Sequence, residues 1–222
     1  MLFAIGVLGA VIGSFVNVVS MREAKGEDFV RGRSYCPHCH HSLCAWDLLP
    51  ILSFLFLRGK CRYCKQSISV RYFLVEMIFS ILFCLVAYFK QPTEIVGYFL
   101  CTICMLIALM DVDSYEIDLR LLLVLTMVGF SIRLDAVEGV ILSMVAGLIL
   151  YITVYGVGKR IWQEEVFGMG DVYFLAALGP YFLPSQILFV GLFSFVIGGG
   201  VVIGWMILSK RNQLYAKIPF AP

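Results

Sequence analysis

Charged side chains are scarce in this chain of 222 residues: Asp, Glu, Lys and Arg together make up 14%, where a water-soluble domain carries about a quarter. With 61% hydrophobic residues and a mean hydropathy of +0.92, too little polar surface exists to cover a globule, and a soluble fold is excluded. The apolar runs also lack the two-residue alternation of strands. Because backbone amides in lipid must be bonded within their own segment unless a barrel closes, a sheet fold is excluded with it. No basic residues precede the first apolar run and no A-x-A-like site follows it, so the run reads as a retained helix instead of a signal peptide. The formal net charge of +2 predicts no partner by itself, and no nucleic acid is expected; lipid is the expected surroundings.

What is present is a set of seven apolar stretches, at residues 1–20, 73–89, 95–110, 119–132, 137–157, 172–182 and 186–209. A bilayer core of about 30 Å needs about 20 helical residues, so the first, fifth and seventh are long enough, whereas 119–132 and 172–182 are short enough to be tilted, re-entrant or interrupted. The expected fold is all-α, a polytopic membrane helical bundle of about seven spans with a small cytoplasmic zinc-binding loop. Its parts are a first transmembrane helix (1–20), the loop (21–71) and a bundle (72–222).

Lys and Arg set the orientation. Nine lie between the first two spans (Arg22, Lys25, Arg31, Arg33, Arg58, Lys60, Arg62, Lys65 and Arg71), and alternating seven spans places Arg120, Lys159, Arg160, Lys210, Arg211 and Lys217 on the same side. Lys90 and Arg133 alone fall opposite. The positive-inside rule then puts the large loop and the C-terminus in the cytoplasm and the N-terminus outside.

The loop contains Cys36-Pro-His-Cys39 and Cys61-Arg-Tyr-Cys64, two CxxC pairs separated by 21 residues. Four thiolates at this spacing can close a tetrahedral site around zinc, and a loop with little core of its own gains folding energy from such a metal. Two disulfides are the alternative, disfavoured in a reducing compartment. His38, His40, His41 and Cys44 lie close enough to substitute as ligands. With four thiolates no coordination position stays open, which suits a structural metal. Cys84, Cys101 and Cys104 fall inside apolar runs and read as small hydrophobes.

Acidic residues form the second pattern. Asp111, Asp113, Glu116 and Asp118 follow the third apolar run, and Asp171 opens the sixth after Gly168-Met169-Gly170. An ionisable residue at the membrane boundary is costly to desolvate and marks a functional candidate. For Asp113, Glu116 and Asp118 an interfacial carboxylate suffices. Asp171 differs, because the glycines before it permit close helix approach. Paired with Asp111 at a partly dry site, it would titrate as a couple, one member keeping a proton near neutral pH. Such a pair can act as acid and base on an amide, or serve proton or cation transport; the residues alone leave both open. Asn17 reads as a polar tie between helices, Gly6, Gly9 and Gly13 as small-residue packing, and Arg71 and Glu76 as an ion pair or as separate interfacial groups.

At this point the chain resembles a known family, the type IV prepilin peptidases, GxGD-type membrane aspartyl proteases. Gly13-Ser14-Phe15-Val16-Asn17-Val18-Val19-Ser20-Met21-Arg22 is similar to their N-terminal segment. The match continues through Cys36, Cys39, Trp46, Pro50, Arg58-Gly59, Cys61, Cys64, Ile68-Ser69, Arg71-Tyr72, Val75-Glu76 and Gly168-Met169-Gly170-Asp171. The resemblance implies that Asp111 and Asp171 are the catalytic pair, with Gly168 and Gly170 as motif support. It further implies that the enzyme removes the leader of type IV prepilins or pseudopilins at the cytoplasmic face of a bacterial inner membrane, and that many members N-methylate the new terminus with S-adenosylmethionine. No Gly-rich fingerprint for that cofactor is present, so no residue is assigned to it. Two departures stand out: Asp118 and Leu119 replace the usual Pro and acidic or amide residue, which brings in Asp113 and Asp118 as secondary acids, and Tyr173 stands where a Lys is frequent.

Overall fold

A computed structural model describes residues 1–28, 32–89, 94–162 and 168–209. Arg31, Lys90, Lys210, Arg211 and Lys217, which entered the orientation argument, lie outside the described residues. Among the described residues there are eight α-helices: α1 (Leu2–Glu23), α2 (Leu52–Phe56), α3 (Val70–Tyr88), α4 (Glu94–Ser114), α5 (Leu119–Ile132), α6 (Val137–Trp162), α7 (Met169–Leu178) and α8 (Pro184–Ser209). No strand occurs among them; two isolated antiparallel bridges, Tyr35 with Ser42 and Lys60 with Ser67, are the sole extended pairings there.

Every apolar stretch read from the sequence is helical, but not every one can span. Five helices are long and apolar enough to cross a membrane. At 1.5 Å per residue, the 14 residues of α5 and the 10 of α7 reach about 21 Å and about 15 Å, short of the ~30 Å hydrocarbon core. The five spans bury only 11% to 33% of their most apolar windows inside the fold. Their remaining surface is the lipid-facing one, which makes this a multi-pass membrane protein.

The chain divides into two compact units, Met1–Ser114 and Tyr115–Pro222. In the first, α1 lies against α3 at backbone distance. A Cβ built on Gly9 would sit 2.6 Å from the Phe79 carbonyl oxygen, and one on Gly13 would sit 2.8 Å from Phe79 Cβ. Small residues allow this approach, and in lipid, where burial of apolar surface drives nothing, close packing is the main source of helix association. Val16, Val75, Phe79, Phe83 and Leu109 form the buried cluster that brings in α4.

In the second unit α6 packs on α7 and α8, and α5 on α7. Short contacts again occur at glycines: a Cβ on Gly179 would come within 2.7 Å of the Met144 backbone, and one on Gly129 within 2.5 Å of Pro180 Cβ. Tyr151, fully buried, shares a hydrogen bond with Ser194 Oγ at 2.6 Å and ties α6 to α8. Nothing lies within 4 Å of a Cβ built on Gly139. Gly9→Ala is therefore expected to lower stability by about 1–3 kcal/mol through overpacking, while Gly139→Ala is neutral or slightly stabilising, as removal of a helix-interior glycine usually is. Thermal unfolding of both variants in the same detergent measures the difference.

Candidate active site

The two carboxylates singled out in the sequence sit in different units and different local settings. Asp111 lies near the C-terminal end of α4 and is half-buried. Asp171 lies in the first turn of α7 and is 6% exposed. Gly168 is the residue capping that helix, with extended backbone (φ −73°, ψ 138°), so the turn needs no left-handed glycine. The glycines matter for space instead. A Cβ on Gly170 would lie 3.0 Å from Ile117 Cδ1, and one on Gly168 would lie 3.4 Å from Asp171 Oδ2. A side chain at 168 would thus cover the carboxylate, and one at 170 would push Ile117 away. Tyr173, at the position where a Lys is frequent, is 45% exposed.

The neighbouring acids have other partners. Asp118 caps α5, its Oδ1 accepting from the Arg120 amide at 2.8 Å, and Glu116 is exposed. Asp113 is gripped by Arg71, which donates from Nη1 to Oδ1 and from Nη2 to Oδ2, the latter at 2.7 Å. Ser20 Oγ donates to Asp113 Oδ2 as well, and Arg71 Nε donates to Asn17 Oδ1 at 3.0 Å. Of the two readings left open for Arg71 and Glu76, the structure has them apart: Glu76, one turn deeper in α3, accepts from the Ile51 amide at 2.7 Å. Asn17 is fully buried, and its Nδ2 makes no hydrogen bond.

The two cysteine knuckles have matching geometry. Cys36 N–H donates to the His41 carbonyl and Cys61 N–H to the Gln66 carbonyl, while His40 and Lys65 return their amides to the first cysteine's carbonyl from left-handed backbone (φ 54° and 61°). The Sγ atoms of Cys36, Cys39, Cys61 and Cys64 all lie within 4.8 Å of one another, and Cys36 and Cys64 approach to 3.9 Å. Sulfurs on a tetrahedral zinc at 2.3 Å are about 3.8 Å apart, so this cluster could hold the ion. His38, His40, His41 and Cys44 are not part of it. His41 packs its ring against Tyr63, with centroids 3.7 Å apart, and Cys44 Sγ donates to Asp47 Oδ2 at 3.0 Å. The Cys64 amide, pointing at the Cys61 sulfur, brings that thiol down to about 7 against its burial. For Cys64 the Gln66 amide pulls the other way, but burial and the three neighbouring sulfurs push the thiol up to about 11.

Asp47 anchors the second knuckle to the chain between the two. Arg62 Nε donates to its Oδ1 at 2.6 Å; burial opposes ionisation, but the Cys44 and Arg62 hydrogen bonds hold the carboxyl below the usual range. Between this loop and α1 and α3 lies a cavity of about 520 Å³, with Val11, Phe15 and Val18 on one side, Phe54 and Tyr72 on another, and Glu76 at its wall. The motifs quoted from the sequence gave no sign of this cavity.

Comparison with known proteins agrees with the motifs. Residues 7–90 match the Bacterial Peptidase A24 N-terminal domain, and residues 98–203 match the Type IV leader peptidase family. The chain is 34% identical over 213 residues to the Prepilin leader peptidase/N-methyltransferase of Myxococcus xanthus (strain DK1622), covering 93% of itself and 63% of that protein. Against the protein so named from Stutzerimonas stutzeri it is 32% identical over 250 residues, covering 97% and 84%. Against that from Klebsiella pneumoniae it is 34% identical over 197, covering 81% and 86%. The chain thus spans a little under two thirds of the Myxococcus protein's length and more of the other two. No solved structure matches.

Arg71 and Asp113 are side chains 26% and 14% exposed respectively, and removing either leaves the other charge largely desolvated. A double-mutant cycle with Arg71→Gln and Asp113→Asn is expected to give a coupling of about 1–3 kcal/mol, measured by unfolding in detergent. A coupling near zero would show that the pair contributes no more than a surface bridge.

Proposed function

Since the chain belongs to the type IV leader peptidase family, we propose that it is a membrane aspartyl endopeptidase that removes the leader of type IV prepilins or pseudopilins. The observation that carries this is Asp171: a carboxylate 6% exposed in the first turn of an apolar helix, with Gly168 before it, where a Cβ would lie 3.4 Å from its Oδ2. In this reading Asp111 is its partner. On an α-helix two residues are about 200° apart, so the clamp that draws Asp113 toward α1 and α3 turns Asp111 to the other side of α4. Asp113 and Asp118, each occupied with a structural bond, are then not the reacting acids.

The chemistry follows from the shared proton. The ionised carboxylate accepts a proton from a water whose oxygen attacks the scissile carbonyl carbon, while the protonated carboxyl donates to the carbonyl oxygen and stabilises charge as it develops. Collapse of the tetrahedral species breaks the C–N bond, and the amine leaves with a proton from the pair. With all seven apolar stretches crossing, the short α5 and α7 by local thinning of the bilayer, the positive-inside rule puts both acids on the cytoplasmic side, where a prepilin keeps its basic leader. The same rule puts the N-terminus outside and makes the bacterial inner membrane the setting. Ion transport by these carboxylates finds no support in the family matches, which are to peptidase families.

Two further parts belong to this proposal. The four sulfurs bind one structural zinc, which leaves no open position for catalysis. The new N-terminus is methylated, as the relatives' names state for those proteins; S-adenosylmethionine supplies the electrophilic methyl when bound.

Asp111→Asn and Asp171→Asn are each expected to reduce leader removal from a co-expressed prepilin by at least about a thousandfold, as loss of a member of a catalytic unit does. Protein level in the membrane should stay unchanged. Intact-mass spectrometry of the pilin reads both cleavage and methylation, and normal cleavage by either variant would refute the assignment. Elemental analysis is expected to give about one zinc per chain, lost on Cys36→Ser together with several degrees of thermal stability; a metal-free wild-type preparation of equal stability would contradict the zinc.

A further inference from the structure

We infer that residues 46–56, between the two cysteine knuckles, are a membrane-seated anchor whose outer apolar face enters the leaflet at the N-terminal end of α3, with Arg58, Lys60 and Lys65 on the anionic phospholipid headgroups beside it. This goes beyond the peptidase reading and does not depend on it. The inner face of α2 is already occupied, Ser53, Phe54 and Leu57 lining the cavity. On the outer face Leu52, Leu55 and Phe56 stand at the i, i+3, i+4 spacing of one helix side. All three are exposed, Phe56 by 82%, and Trp46 ahead of them is 73% exposed. A helix turned to water carries polar side chains on that side; this one carries none.

Depth decides between lipid and a protein partner. The 19 residues of α3 measure about 28 Å, barely the ~30 Å of a hydrocarbon core, so a spanning α3 has Val70 at the boundary and Glu76 about 9 Å below it. Ile51, the residue before α2, bonds Glu76 through its amide at 2.7 Å, and the Phe54 ring stacks on Phe73 of α3 with centroids 5.3 Å apart. Even with the Glu76 side chain leaning back toward the helix N-terminus, α2 is held at the depth of an interfacial helix, ~5–10 Å into the leaflet. Its outer face continues a lipid-facing stripe of α3, Val70, Leu74 and Ile78, all exposed. Trp46 is of the type enriched at membrane interfaces. Charge agrees: Arg58, Lys60 and Lys65 follow directly, are exposed, and are in no ion pair among the described residues, whereas Arg62 is held by Asp47. Basic side chains beside an inserted apolar face bind anionic headgroups.

Tryptophan quenching on the full chain in nanodiscs tests this. Of the three tryptophans, Trp162→Phe and Trp205→Phe leave Trp46 as the reporter. In phosphatidylglycerol discs, lipids brominated on the upper acyl carbons are expected to quench Trp46 by about half or more, as a ring ~5–10 Å deep requires, and aqueous iodide to quench it weakly. Adding Leu55→Asp and Phe56→Asp should reverse the two. Phosphatidylcholine in place of phosphatidylglycerol should raise iodide quenching about twofold or more, and Arg58→Gln, Lys60→Gln and Lys65→Gln together should abolish that difference. The unfolding midpoint reports whether each variant is folded. Should the tryptophan variants fail to fold, a phosphatidylglycerol with a photoreactive upper acyl chain, crosslinked to the wild-type chain, replaces them, the label expected on the peptide containing residues 46–56. A Trp46 open to iodide and unquenched by brominated lipid, or label confined to the spanning helices, overturns the anchor. Shielding from iodide that appears only when prepilin is added overturns it in favour of a peptide-docking face. Equal iodide quenching in the two lipids overturns the choice of anionic headgroups.

Discussion

The grip of Arg71 on Asp113 is the interaction on which the order of the first unit depends. One guanidinium reaches three helices: its own α3, α1 through Asn17, and α4 through both oxygens of Asp113. Ser20 closes the ring from α1. Taking these charges out of water is costly, and the cost is met only where geometry is good and the remaining donors find acceptors. The planar fork of Arg achieves this, while an ammonium, as a point charge, would hold the carboxylate without fixing its plane. The grip is possible because glycines at 9 and 13 let α1 approach α3 to backbone contact. It also bears on the rotation of α4 about its axis, since Asp111 lies two residues before Asp113 on the same helix.

Polar groups buried among the described residues are few, and their distribution is uneven. Asn17, Ser20, Arg22, Glu76, Ser143 and Asp171 are the buried polar or charged residues among those described, and four of them lie on α1 and α3. Ser143 is a structural case, its hydroxyl shared between the Gly139 and Phe182 carbonyls. Arg22 likewise spends its guanidinium on the Asp28 and Arg33 carbonyls, holding the start of the loop to α1. Glu76 and Asp171 differ, since each is a buried carboxylate kept in an apolar helix. A chain this apolar tolerates such groups where function uses them.

Much of this was legible in the sequence, and the exceptions share a cause. Continuous apolar runs identified every long helix, because in lipid hydropathy and helicity coincide. The CxxC spacing placed four sulfurs together because a two-residue separation closes a knuckle locally. Span number was less legible: residues 119–132 and 172–182 are apolar and helical, yet α5 and α7 are too short to cross a ~30 Å core unaided. Side-chain partners across helices were the least legible. Arg71 and Glu76 lie five residues apart, which on a helix turns them well away from one another, and the guanidinium instead met an acid 42 positions on. Which acid it would meet is set by the rotation of α4, a tertiary quantity without local signature. The glycines before Asp171 were noticed for conformational freedom; in the structure they matter for what a Cβ would cover.

The cysteine loop then acquires a role beyond its own folding. Four sulfurs around a tetrahedral ion leave no place for a reacting ligand, so a metal there acts through position. The position it controls is that of the segment between the knuckles. Arg62, inside the second knuckle, holds Asp47; three residues further on, Pro50 and Ile51 lead into α2, and the Ile51 amide, on left-handed backbone (φ 63°), bonds Glu76. Ile51 accordingly sits in a conformation that a β-branched residue adopts only under constraint from both sides. The knuckles constrain it from one end and the membrane helix from the other. The wall of the cavity at Glu76 is thus assembled by the same loop that carries the four sulfurs, which ties the position of that carboxylate to the geometry of the two knuckles.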